Sequence, residues 1–196
     1  MKTIILVRHA ETVLAGRFCG MSDPELSATG LAQLSEIVQR IEPSEIDRIL
    51  SSDLLRARQT AEAIAQAIGV PVELRPGLRE INFGLWEGLH WDEIEAEFPR
   101  EAMVWRQEFP GPTAPEGEPF ADFLQRLDNE FLSILAGDED EKVVVVSHSG
   151  VIHFALTRFF GYSWNDAFKQ ELPFGAVIPV VYSSAVMECQ RSPAHR

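Results

Sequence analysis

Cysteine is scarce in this 196-residue chain: there are two, Cys19 and Cys189, far apart and in no Cys-x-x-Cys or zinc-type spacing. Two free thiols in a reducing compartment is the reading that fits. Positive charge is also scarce. Seventeen Lys and Arg face thirty Asp and Glu, a formal charge of −13. Such a surface repels a nucleic-acid backbone or an anionic membrane, while leaving room for a small anion in a local basic pocket. No stretch approaches the ~20 apolar residues of a membrane span. The apolar run at the N-terminus is too short for a signal sequence and leads directly into charge. A cytoplasmic location is expected. Missing too are a Gly-x-Ser-x-Gly elbow, a phosphate-binding loop ending in Gly-Lys-Ser/Thr, and a metal-ligand spacing around His9. A serine esterase, a nucleotide triphosphatase and a metal centre all lack their signatures; no metal or organic cofactor is expected.

What is present is alternation. Thr3 to Val7 and Val143 to Val146 are nearly all apolar, the pattern of strands buried on both faces. Ser27-Ala28-Thr29-Gly30 opens a helix to about Ile41, with Leu31, Leu34, Ile37, Val38 and Ile41 on one face. Asp47 to Leu50 and Val72 to Leu74 read as strands. Leu54 to Ile68 is helical and closed by Gly69. Further helices are expected near 91–98, over 120–135 and from Gly150 to about Phe160, with a last strand from Ala176 to Tyr182. From Pro99 to Pro119, prolines at 110, 112, 115 and 119 predict a loop or cap without regular structure. With no repeat and no linker, the chain reads as one domain. Its expected architecture is a three-layer α/β/α sandwich around a mostly parallel sheet.

Three strand ends carry chemistry. The first gives Arg8, His9, Glu11 and Thr12; the second leads to Arg56 in the first turn of a helix; the last gives Ser147, His148, Ser149 and Gly150. In open α/β sheets ligands sit beyond the carboxyl ends of the strands. If these tips meet, two arginines and two histidines surround one spot, and a phosphoryl group is their natural guest. Neutral His9 could attack phosphorus, with Arg8, Arg56 and His148 holding the oxygens. Glu80 is the candidate proton donor, with Glu11 and Glu87 as alternatives. Nearby arginines would lower its pKa and an incoming phosphate would raise it.

In this order, "LVRHAET", "GRFCGMSDPELSATGLAQ", "SSDLLRARQTAEAIA", "LREINFGLWEG" and "VVVVSHSGVIHFAL" resemble the histidine phosphatase superfamily, which shares its fold with cofactor-dependent phosphoglycerate mutase. The resemblance spans nearly the whole chain. It implies His9 as nucleophile, Arg8 and Arg56 as phosphate clamps, His148 as the second pocket histidine and Glu80 as proton donor. Thr12, Arg17, Cys19, Gly20 and Ser149 are candidate substrate contacts. Within the superfamily the chain is most similar to α-ribazole phosphatases, through Phe83 to Gly88, Trp105 and "PEGEPFADFLQRL". That implies a phosphatase acting on a small phosphorylated metabolite, with α-ribazole 5′-phosphate, of cobalamin biosynthesis, as the leading candidate. A phosphoglycerate mutase-type phosphotransferase and a non-catalytic phospholigand-binding protein are the alternatives; a homodimer is left open. Mutases of this fold carry paired arginines for a substrate carboxylate; only Arg100 and Arg106 lie in the corresponding region. The chain departs from the family pattern at Ala10, Ser149, Leu14 and Cys19. The last two bear on substrate identity.

Overall fold

A computed structural model describes residues 1–41, 46–138 and 140–182. Cys189 lies outside these residues. Five strands form the sheet: β1 (Lys2–Arg8), β2 (Arg48–Ser51), β3 (Val72–Leu74), β4 (Lys142–Ser147) and β5 (Val177–Tyr182). Their order is β3-β2-β4-β1-β5. All neighbours are parallel except β5, which runs antiparallel to β1. The helices are α1 (Ala28–Arg40), α2 (Leu55–Ile68), α3 (Trp91–Glu97), α4 (Pro99–Glu108), α5 (Phe120–Leu135), α6 (Ser149–Phe159) and α7 (Trp164–Lys169).

The apolar runs of β1 and β4 are apolar because both sheet faces are covered. Ile4, Leu6, Val143 and Val145 pack with Leu127 and Phe131 of α5 and Val151 and Leu156 of α6. Ile5, Val7, Val144 and Val146 face the other way, onto Ile37 of α1 and Ala57, Ala61 and Ile64 of α2. Helix, sheet and helix therefore form the three expected layers, and each fully buried aliphatic side chain contributes about 1.5–3 kcal/mol. A third, smaller core gathers on Trp86, Ile94, Ala102 and Ala114, beneath α3 and α4.

The expectation for 99–119 needs correction. Residues 99–108 are helical. Pro99 stands at the first helical position, where its missing N–H is no loss and its fixed φ suits the turn. The prolines that break structure come only afterwards, at 110, 112, 115 and 119. Helix α7 is likewise additional to the expected elements; Ser163 caps it, accepting from Asp166 N–H.

Strand order decides where chemistry gathers. β2, β4 and β1 lie side by side, with Arg8 in register with Ser147 and Ser51 with Val146. The residues that follow these strands, His9, Ser52 and His148, therefore emerge together at the carboxyl edge. His9 N–H still donates to Ser147 C=O (3.0 Å), and Ser52 N–H to Val146 C=O (3.0 Å), so the ladder extends one residue into the site.

Candidate active site

His9 is 6 % exposed and His148 is 1 % exposed, their ring centroids 5.2 Å apart. His9 Nδ1 lies 2.7 Å from Ala10 C=O. A carbonyl only accepts, so the neutral ring carries its proton on Nδ1 and keeps its lone pair on Nε2. The backbone here is fixed in turn: Ala10 N–H donates to Thr60 Oγ1 (3.1 Å), which bonds Arg56 C=O (2.8 Å). Phe174 flanks the His9 ring, centroids 5.5 Å apart, and lies 4.0 Å beneath the Arg8 guanidinium. Arg8 also donates to Leu172 C=O.

His148 Nε2 lies 2.9 Å from Ser52 Oγ. That hydroxyl accepts from Leu54 N–H and has its own proton to donate to the imidazole. In the tautomer that accepts this bond the His148 proton sits on Nδ1, which is buried and has no partner in the protein. Beside His9, two more buried donors share that condition: Arg8 Nε and Arg56 Nε. Buried donors without acceptors are rare, because each forgoes about 1–3 kcal/mol of solvation. Three of them around His9 describe a receptacle for an oxyanion. Burial pushes both histidines well below the usual imidazole range, and the Arg56 and Arg8 guanidinium groups push in the same direction. Both rings are neutral at pH 7.

Arg56 is fully buried in the first turn of α2, where a cation opposes the helix dipole. Neighbouring carbonyls offset this: Nη1 donates to Ser22 C=O (2.7 Å), and Nη2 to Cys19 and Gly20 C=O (3.1 and 2.9 Å). No side chain at the α2 N-cap position itself makes a capping bond. Asp23 serves from a distance, accepting from Leu55 N–H at 2.6 Å.

Glu80 is 7 % exposed, and its carboxylate accepts from Ile81 N–H (3.0 Å) and from Gly150 N–H (2.9 Å) at the start of α6. Burial raises its pKa, outweighing the amide hydrogen bonds and the Arg56 and Arg8 charges that lower it. Before any phosphate arrives, desolvation already outweighs the two arginines. Arg126 of α5 holds the segment that carries Glu80, donating to the carbonyls of Gly77, Arg79 and Glu80 while paired with Glu118. The alternative acids are differently engaged: Glu11 accepts from Ser27 Oγ, and Glu87 accepts from backbone N–H groups of residues 20–22.

Arg8, His9, Arg56, Glu80 and His148 are thus brought together. Of the candidate substrate contacts, Ser149 borders a cleft of about 290 Å³ that opens from Glu80 and Gly150. The others are occupied within the protein. Thr12 is buried, and its hydroxyl accepts from Leu14 N–H. Arg17 pairs with Glu93 (3.0 Å) and Gly88 C=O (2.6 Å). Gly20 has both N–H and C=O engaged, and a Cβ there would stand 1.9 Å from Ile81 C=O. The Cys19 thiol faces Ser22 C=O (3.6 Å), and burial pushes its pKa up. Ser52, Thr60 and Phe174 were not singled out from the sequence; only the small polar residues ending β2 gave a signal. The cleft itself is aromatic. Phe83, Trp105, Phe109, Trp164 and Phe168 contribute to its wall, with His153 stacked on Phe168 at 4.4 Å.

Residues 4–192 match the family model described as histidine phosphatase superfamily (branch 1). The chain belongs to the histidine phosphatase superfamily. Among the superfamily's curated members, it is 34 % identical to a probable phosphoglycerate mutase GpmB of Erwinia tasmaniensis, over 84 % of this chain and 78 % of that one. It is 30 % identical to the adenosylcobalamin/alpha-ribazole phosphatase of Salmonella typhimurium, over 78 % and 77 %. The alpha-ribazole phosphatase of Shigella flexneri shares the fold, with a TM-score of 0.84, 24 % identity and coverage of 93 % and 91 %. A phosphoglycerate mutase from Thermus thermophilus superposes with a TM-score of 0.68 at 34 % identity, covering 91 % and 92 %. The expected superfamily and its phosphoglycerate mutase-like fold are therefore both met in this histidine phosphatase.

Proposed function

We propose that the protein is a metal-independent phosphomonoester hydrolase that works through a phosphohistidine on His9. The observation that carries this reading is the ring of unpartnered donors, Arg8 Nε, Arg56 Nε and His148 Nδ1, around a neutral imidazole. His9 Nε2 attacks phosphorus while the bond to the ester oxygen breaks. Glu80, as the acid, gives its proton to the departing alkoxide. In the second step the Glu80 carboxylate takes a proton from water, whose oxygen attacks phosphorus. The P–N bond breaks, its electrons return to Nε2, and inorganic phosphate leaves. Throughout, the arginines and His148 hold the charge on the equatorial oxygens. Among the described residues, no group of three or more His, Cys, Asp or Glu could hold a metal ion.

The cleft favours an apolar, flat leaving group over a carboxylate. No Lys or Arg lines it. Arg106 is paired with Glu95 (2.6 Å) and lies over the Trp91 ring, and Arg100 lies on a separate surface depression. α-Ribazole 5′-phosphate, whose base is a flat aromatic ring, fits this lining and is our leading substrate. A cytoplasmic location accords with it; among the described residues no helix is long and apolar enough to cross a membrane. The mutase reading has the likeness to the Erwinia tasmaniensis relative in its favour. Incubation with α-ribazole 5′-phosphate and with 3-phosphoglycerate, in EDTA, tests both. Phosphate release from the first supports the proposal. Isomerisation of the second without phosphate release refutes it, as does the absence of turnover across a panel of phosphomonoesters.

A further inference from the structure

Glu87 makes more hydrogen bonds than any role in surface charge requires. Its carboxylate accepts from the N–H groups of Gly20 (3.1 Å), Met21 (2.9 Å), Ser22 (3.0 Å) and Phe83 (3.0 Å), and from Ser22 Oγ (2.6 Å). The same short loop supplies the carbonyls that hold Arg56. Two peptide units are shared outright. In the unit joining residues 19 and 20, Cys19 C=O accepts from Arg56 and Gly20 N–H donates to Glu87. In the next, Gly20 C=O accepts from Arg56 and Met21 N–H donates to Glu87. Each peptide dipole lies with its negative end at the guanidinium and its positive end at the carboxylate. Hydrogen bonds in such a chain polarise and strengthen one another. The loop has no side-chain freedom at its centre either, because a Cβ on Gly20 would collide with Ile81 C=O at 1.9 Å.

We infer that Glu87 is a positioning residue for the phosphate clamp: through the 19–22 loop it fixes the orientation in which Arg56 presents Nε to the anion. The inference rests on the reading of Arg56 as a phosphate-binding group. Burial opposes ionisation of Glu87, but the bonds from Ser22 Oγ and the amides prevail and hold its carboxyl below the usual range. The loop therefore keeps its anionic anchor at neutral pH.

The test is a double-mutant cycle read by calorimetric titration with inorganic phosphate. Glu87→Gln preserves shape but places an amide donor opposite amide donors. It should weaken phosphate binding on the order of 10- to 100-fold, the scale of a buried polar group losing its hydrogen-bonding partner. The KM for p-nitrophenyl phosphate should rise in parallel. In an Arg56→Lys background the same substitution should do much less, since the group it positions is gone. Ser22→Ala removes one bond from the anchor and should weaken phosphate binding in the same direction but less; it decides the matter should Glu87→Gln not fold. Losses that multiply independently across the cycle, or a lower melting temperature with unchanged phosphate affinity, would overturn the inference. Unchanged phosphate affinity in Arg56→Lys alone would instead refute the clamp reading, and the inference with it.

Discussion

Gly150→Ala isolates the placement of the proton donor. A Cβ at residue 150 would stand 2.4 Å from Glu80 Oε1 and 3.1 Å from its Cδ. Ordinary contact begins near 3.4 Å, so the carboxyl must retreat by roughly 1 Å, a displacement that can lower a rate on the order of 10²-fold. That is about 2.7 kcal/mol of transition-state stabilisation. The fold should not suffer. Gly150 is the second residue of α6, and Ala is favoured over Gly in a helical conformation, by at most the about 0.8–1.0 kcal/mol of a helix interior. Melting temperature should hold or rise while kcat falls. The loss should be larger on an alkyl monoester, whose alkoxide needs a proton, than on p-nitrophenyl phosphate, whose leaving group departs without one. Steady-state kinetics on the two substrates, with a thermal melt, give the answer. An alkyl-phosphate rate within threefold of the parent would refute the claim that Glu80 acts from this position.

Three further outcomes are expected. Because His9 and His148 are held neutral, the unfolded chain binds more protons than the folded one once pH falls below the ordinary imidazole range, about 6.5. Stability should therefore drop as pH falls through that window, and calorimetric melts should show a flatter profile in His148→Gln. Glu80→Gln should remove the alkaline limb of the kcat/KM profile, since the raised pKa of Glu80 places the loss of its acid form there; an unchanged limb would contradict this. Phe168→Ala should raise KM for an aryl monoester by about tenfold while leaving glycerol phosphate within twofold, on the scale of an aromatic contact worth about 0.5–1.5 kcal/mol; equal effects on both would argue against the cleft as the leaving-group site.

Much of this was legible from the chain. Helix 120–135 follows from its helical periodicity and strands β1 and β4 from unbroken apolar runs, because one covered face leaves a repeating trace and two covered faces leave a continuous one. The convergence of Arg8, His9, Arg56 and His148 followed from one assumption, that strand ends meet at one edge. What failed to show has physical reasons. Helix α4 is hidden by the prolines beyond its end, which break the chain only after the helix has finished. Ser52 and Thr60 act through single hydrogen bonds fixed only by tertiary approach. Glu87 gave no sign of its part, since the partners it gathers are backbone amides, which every residue but proline possesses. Gly20, a candidate substrate contact from the sequence, is also where the backbone of Ile81 approaches most closely, which no residue type in the sequence signals.

The central claim is that His9 becomes covalently phosphorylated, and rapid acid-free quenching followed by phosphorus NMR tests it most directly. The parent protein, mixed with a phosphomonoester, should give an acid-labile, base-stable phosphoramidate on His9, and His9→Ala should give none while keeping its fold. A phosphoenzyme that persists in His9→Ala, or turnover by that variant at the parent's rate, would contradict the account.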